Sequence, residues 1–446
     1  MFKQSIPDYK KIYKYVGLNC NSMTKSEDSD EEEIPNKRTG YDIVGILSST
    51  VPATGLILLF PTLYFSTLEG AMLLSATLTS AISVIALTAR YWEYRYSIFL
   101  TYFLFLILTY IMVNTNKIIT FFLSYECFLL PSAVLVWCFS PNKRGLKTTL
   151  LFLMWTQLGS VLVLLGTINI FTLGDAFEFI TGYIKKPLPP VYQAMVLFGF
   201  LIKIPVFPFY FWLTKTHVES VTSFSIFLSG FLVKIAVFGL YKYIVFLTKG
   251  LLLVAVALSM SSAITTSLLF LHQVDLKKKI AYATIQEMSQ VVMSLLLLCP
   301  INLEVVSLFL TTHTLLSAKY FYLNDIVYKL YNTRSILVLS GIGNLSPKLT
   351  TILATTLVLF RGLPFTAKNS IEFTYFGYLT DVDLAFAILW VVMVALTGNV
   401  FFSYTFLKMA AMSHYRPLEP RDIEMVSMVV IALLCYTIVN LQQIMM

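Results

Sequence analysis

Five ionisable side chains lie inside stretches too apolar to be loops. Glu126 is midway along Ile118–Trp137, Lys203 falls in Val191–Leu213, Lys234 is midway along Phe224–Leu247, His313 falls in Val305–Leu323 and Glu372 in Leu349–Leu379. A charge at the centre of a bilayer costs about 2.5–3.5 kcal/mol on insertion scales, so such groups pair, line water or carry ions. Lysine suits a proton relay, because desolvation favours the neutral amine and a nearby carboxylate favours the ammonium. Moving the partner then loads or unloads the proton. Glu126 facing Lys203 would be one such pair. The plainer alternative is a set of buried pairs that only hold helices together. His313 either carries protons or hydrogen-bonds across helices. Lys319 and Glu287 sit nearer the ends of their apolar stretches, where they either join the path or snorkel to the interface. Lys242 reads as structural.

The elements that hold these groups follow from hydropathy. Hydrophobic residues make up 57% of the 446, charged residues 13%, and the mean hydropathy is +0.76. A soluble domain carries about a quarter charged residues. Apolar runs of membrane-spanning length recur from Ile43 to the C-terminus and number about thirteen, at roughly twenty residues for each crossing. They are expected to be helices, since lipid offers no partner to an unpaired backbone group. Two are expected to be broken. Val191–Leu213 contains Pro205 and Pro208, and Leu349–Leu379 is interrupted at Arg361–Phe365. Discontinuous helices that carry charge are typical of transporters.

Loop charges test this layout independently. If the N-terminus is on one side, that side also receives Arg90, Arg95, Lys143, Arg144, Lys147, Lys215, Lys277–Lys279, Lys329, Arg334, Lys348, Lys408, Arg416 and Arg421. The other side holds Lys117, Lys185, Lys186 and Lys249, with the acidic Asp381 and Asp383. The asymmetry predicts an N-in, C-out topology. It also accounts for the net charge of +8 without nucleic acid, since the cations form no stripe. Five cysteines without metal-ligand spacing predict neither a disulfide framework nor a cluster site. Residues 1–40, with SEDSDEEE at Ser26–Glu33, are expected to form a hydrophilic acidic extension ahead of a transmembrane domain over 41–446. The extension either contacts a neighbour or is a solvated tail.

Several ordered motifs resemble one family. KIPVFPFYFWLTKTHVES at Lys203–Ser220 is similar to the broken helix of the antiporter-like subunits of respiratory complex I, and its KTHVE ending is similar to the subunit 4 branch. SYECFLLPS at Ser124–Ser132 resembles that family's glutamate helix, and FLVKIAVFGLYK at Phe231–Lys242 its central lysine helix. DLKKKIAYAT at Asp275–Thr284, THT around His313, and the GLP and IEF segments within Gly362–Phe373 match further motifs in order.

The resemblance implies an all-α polytopic membrane protein with an antiporter-like inverted-repeat fold and two discontinuous helices. By motif, Glu126 and Lys203 would be the coupled pair, Lys234 the central relay, His313 a link and Glu372 the terminal carboxylate near the exit. It implies outward proton pumping in the mitochondrial inner membrane, with the N-terminus on the matrix side. FMN, iron–sulfur clusters and ubiquinone are expected in other subunits and no cofactor in this chain. Expected partners are neighbouring membrane-arm subunits, above all 2 and 5, and lipids such as cardiolipin. Three positions depart from the family pattern. A usual histidine is Tyr210, another is Glu287, and an Ala-Pro pair is Ser220 and Val221. Glu287 and Lys319 are candidates to replace the lost groups. One of the family's usual fourteen helices is also missing, before Ile43. Two alternatives remain open at this level: a Mrp-type cation/proton antiporter subunit and a pump-inactive scaffold.

Overall fold

A computed structural model describes residues 67–88, 91–140, 144–172, 189–298, 303–339, 346–362, 366–382 and most of 384–392. The acidic extension, the first expected span at Ile43–Tyr64, the last at Met425–Leu441 and most of Leu384–Tyr404 lie outside these residues. The described helices are α1 (Leu68–Thr88), α2 (Arg95–Asn114), α3 (Ile118–Cys127), α4 (Leu129–Phe139), α5 (Gly145–Thr172), α6 (Pro190–Lys203) and α7 (Phe211–Glu219). They continue with α8 (Thr222–Phe227), a π-helical turn (Leu228–Leu232), α9 (Val233–Tyr243), α10 (Lys249–His272), α11 (Leu276–Leu298), α12 (Leu303–Tyr331), α13 (Pro347–Arg361) and α14 (Ala367–Val382). Seven stretches among the described residues are long and apolar enough to cross a bilayer, counting α3–α4 and α8–α9 as one each.

Both expected breaks are present, and two finer interruptions accompany them. Pro131 has no N–H to offer the Cys127 carbonyl, and the helix is interrupted between α3 and α4 at Phe128. The second interruption is the π-turn before α9. Between α6 and α7, Pro205 and Pro208 remove two donors, and the orphaned carbonyls find other partners. Leu201 accepts from the Val206 N–H at 3.1 Å, and Ile202 accepts from the Trp212 indole at 3.1 Å. Between α13 and α14, Gly362 closes α13 in the left-handed conformation at φ 74°.

Burial sorts the helices. In the most apolar part of α8–α9 and of α11, 94% of residues are buried, against 39% in α2 and in α5. The outer helices expose Leu100, Leu130, Met154 and Leu253, as a lipid-facing or subunit-facing surface requires. α5 lies along α6, α10 along α11, and α1 packs on α2 and α12.

Loops assigned to the cationic side do meet one another. Asp275 bridges Ser335, the Arg334 guanidinium donates to the Val218 carbonyl at 3.1 Å, and Ser140 donates to the Glu219 carbonyl at 3.1 Å. At the other end, Lys242 Nζ donates to the Thr115 carbonyl at 2.9 Å, and Gln193 accepts from the Thr248 N–H at 2.8 Å. Lys242 thus satisfies carbonyls at the C-terminal end of α2, a structural task. Lys277 and Lys279 are buried in the first turn of α11 instead of lying in a solvated loop, and Lys277 Nζ donates to the Ser220 carbonyl at the end of α7. A cation there complements the negative end of the helix dipole.

Candidate functional site: a row of buried ionisable groups

Breaks and interruptions in the helices lie beside the charges. Lys203 is the last residue of α6, before the proline break, and Glu126 is two residues before the interruption at Phe128. Their side chains meet at 3.4 Å and are only partly covered, 12% and 21% exposed. The Lys203 ammonium also sits 3.6 Å from the centre of the Tyr125 ring, a cation–π contact that offsets its desolvation. Beside it lies a cavity of about 40 Å³ lined by Lys203, Ser132, Thr156, Leu228 and Val233, among others. A water needs roughly 10–15 Å³ by this measure, so the space admits a short chain of waters. It reaches from Lys203 to the π-turn that precedes the next lysine, Lys234.

Lys234 is fully buried at the second residue of α9. Its ammonium donates to the Gly230 carbonyl at 2.8 Å and the Ser229 carbonyl at 3.2 Å. Both belong to the π-turn, a helix defect that recurs at functional sites. Gly230 fits closely there, because an added Cβ would press into the Thr79 side chain of α1. The Gly230 carbonyl also accepts from Thr314 of α12 at 3.3 Å. The opposite charge of Glu287 acts on Lys234 through space, without direct contact.

Glu287 and Lys319 do not snorkel. Glu287 is 3% exposed at the middle of α11, and Lys319 is 2% exposed within α12, which runs on to Tyr331. Hydropathy alone cut that helix short at Leu323 and left Lys319 near an apparent end. His313 is 1% exposed, its Nε2 is 4.0 Å from a Glu287 oxygen, and neither ring nitrogen has a hydrogen-bond partner among the described residues. The other Glu287 oxygen accepts from Lys368, whose ammonium is 3.6 Å from Glu372. Direct contacts therefore join Glu126 to Lys203, and His313, Glu287, Lys368 and Glu372 to one another, with Lys234 on the helix between them acting on Glu287 through space. Sequence reading missed Lys368. The available signal was its spacing of four residues before Glu372, which puts both on one helix face just after the break.

The arrangement is a chain of weak acids and bases buried between helices. It can store and pass protons. Residues 115–397 match the family described as NADH:quinone oxidoreductase/Mrp antiporter, TM. The NADH-ubiquinone oxidoreductase chain 4 of Paramecium tetraurelia is 30% identical over 330 residues, 73% of this chain and 70% of that protein. The protein of the same name from Acanthamoeba castellanii is 28% identical over 270 residues, 57% of this chain and about half, 53%, of that protein. In fold, the chain resembles one from respiratory complex I of Thermus thermophilus solved with NADH bound. The TM-score is 0.73 at 19% identity, over 89% of this chain and 90% of that one. A chain of the Mrp complex from Dietzia sp. DQ12-45-1b gives 0.67 at 18% identity, over 85% and 74%. By family match and by identity, this chain belongs to the NADH:quinone oxidoreductase/Mrp antiporter transmembrane family.

Proposed function

We propose that this chain is a proton-translocating subunit in the membrane arm of an NADH:ubiquinone oxidoreductase, the subunit 4 type. The observation that supports it most is the set of ionisable groups held between helices: the Glu126–Lys203 pair, the fully buried Lys234, and the cluster of Glu287, His313, Lys368 and Glu372. The named Paramecium and Acanthamoeba relatives support the redox-linked form over a free antiporter. Glu126 holds the proton on Lys203 while the two are paired. Separating them frees that proton to cross the adjoining cavity toward Lys234. Glu372 then delivers it outward.

Electron transfer belongs to other subunits, which carry FMN, iron–sulfur clusters and ubiquinone, and this chain holds no redox centre. It sits in the mitochondrial inner membrane with its N-terminus in the matrix and its C-terminus in the intermembrane space. Its neighbours are membrane-arm subunits, including the antiporter-like subunits 2 and 5, and lipids such as cardiolipin, with no nucleic acid. Residues 1–40 are the extramembrane extension and 41–446 the transmembrane domain. Lys234→Ala enzyme in sealed vesicles tests the reading. Proton uptake per NADH oxidised is expected to fall while assembly is retained, whereas an unchanged ratio makes the chain a scaffold. Mass spectrometry of co-purifying subunits separates a Mrp-type complex, which would lack NADH- and quinone-reducing modules.

A further inference from the structure

Lys368 faces oxygens from three elements. It donates to Glu287 of α11, lies 3.6 Å from Glu372 one turn along its own helix, and donates to the Phe360 carbonyl near the end of α13. The Phe360 ring lies 4.8 Å from the ammonium. Holding two helices together needs only one carboxylate, so the second needs another reason.

Its placement repeats that of Lys203. Lys203 is the last residue before one helix break, and Lys368 is the second residue of α14, after the other. Each takes a carboxylate from a separate helix, Glu126 on α3 and Glu287 on α11. Lys368 and Glu372 ride together on α14, whereas Glu287 stands on the continuous α11. A change of angle at the Gly362 break therefore alters the Glu287–Lys368 separation and leaves Lys368 with Glu372. Gly362 is packed against this pair, since an added Cβ would come within 2.8 Å of a Glu372 carboxylate oxygen.

We infer that Glu287 and Lys368 form a second carboxylate–lysine proton-transfer pair, in which Lys368 passes protons from the Lys234 side to Glu372. In the outward step an N–H bond of the ammonium breaks and an O–H bond forms on Glu372, leaving a neutral amine and a carboxylic acid. In the reloading step Glu287, protonated from the Lys234 ammonium, gives its proton to the amine and returns to carboxylate. The inference rests on the proposed proton-translocating function.

The test uses the assembled enzyme in sealed vesicles, with Lys234→Ala prepared in parallel. Lys368→Arg keeps the positive charge but does not release its proton, and Lys368→Met has neither property. Both are expected to drop proton uptake per NADH to the level of Lys234→Ala. Lys368→His keeps a nitrogen that titrates, with an ordinary pKa about four units lower than lysine, so it should pump with an optimum moved about one unit or more toward acid. Pumping by Lys368→Arg at the unsubstituted level overturns the inference and assigns Lys368 to structure. An unmoved optimum in Lys368→His also overturns it, and this readout decides the matter if the Arg and Met variants do not assemble. In either case a loss of pumping in Lys234→Ala leaves the proposed function standing. Unchanged pumping in Lys234→Ala sinks that function itself.

Discussion

Lys203 and Lys234 solve the problem of buried charge differently. Lys203 has a full counter-charge in Glu126, an aromatic face and a cavity within reach. Lys234 has only the partial charges of two carbonyls in direct contact, with Glu287 further away. A charge held by dipoles alone is costlier to keep than one held by a carboxylate. If Glu126 and Lys203 act as a unit, their losses will not multiply. Glu126→Gln, Lys203→Met and the double variant should pump about equally poorly, the pattern of groups that share one step. Compounding losses in the double variant would show two independent roles.

At the scale of elements, the interruptions decide where charge can be held. Pro131, Pro205 with Pro208, the π-turn and Gly362 each release backbone groups from regular helix pairing, and Glu126, Lys203, Lys234 and Lys368 sit next to them in that order. Polar backbone at membrane depth is tolerated where protein or water lines it, which is also where an ammonium can be solvated. The π-turn depends on a contact with α1. Gly230→Ala would force a methyl into the Thr79 side chain, and overpacking of this kind costs about 1–3 kcal/mol. The variant is expected to lower the thermal stability of the assembled enzyme and to displace Lys234. Thr79→Ser removes the colliding methyl and keeps the hydroxyl, so it should restore stability in the Gly230→Ala background. No restoration would place the damage elsewhere.

At the scale of the whole molecule, helices alternate between two faces whose loops touch their own kind. Residues 140, 218–220, 275–277 and 334–335 converge on one face, while 113–115 meets Lys242 and Thr248 meets Gln193 on the other. Exposed positions on both faces allow a direct check of sidedness. A cysteine placed at Asn332 should react with an impermeant maleimide only from the matrix side, and one at Asn116 only from the opposite side. Labelling of both from one side would break the alternation.

Single residues explain how much of this was readable in advance. The cost of charge in lipid marked Glu126, Lys203, Lys234, His313 and Glu372 as special, and Pro205, Pro208 and the Arg361–Phe365 interruption announced the two large breaks. Loop cations announced the alternation of faces. These signals are local: a donor is missing, or a charge sits in an apolar run, whatever surrounds it. The rest depended on neighbours far along the chain. Hydropathy ended α12 at Leu323 because Asn324 and Asp325 interrupt the apolar run, yet both are buried, and Asp325 accepts from Thr222 at 2.8 Å. That contact keeps the helix inside and puts Lys319 at depth. The partnership of Glu287 with Lys368, 81 residues apart, is likewise invisible in either segment alone. The sequence by itself determined a bundle of membrane helices, its broken members and the groups able to hold a proton. Only the tertiary structure decided which carboxylate faces which lysine, because that depends on how two non-adjacent helices pack.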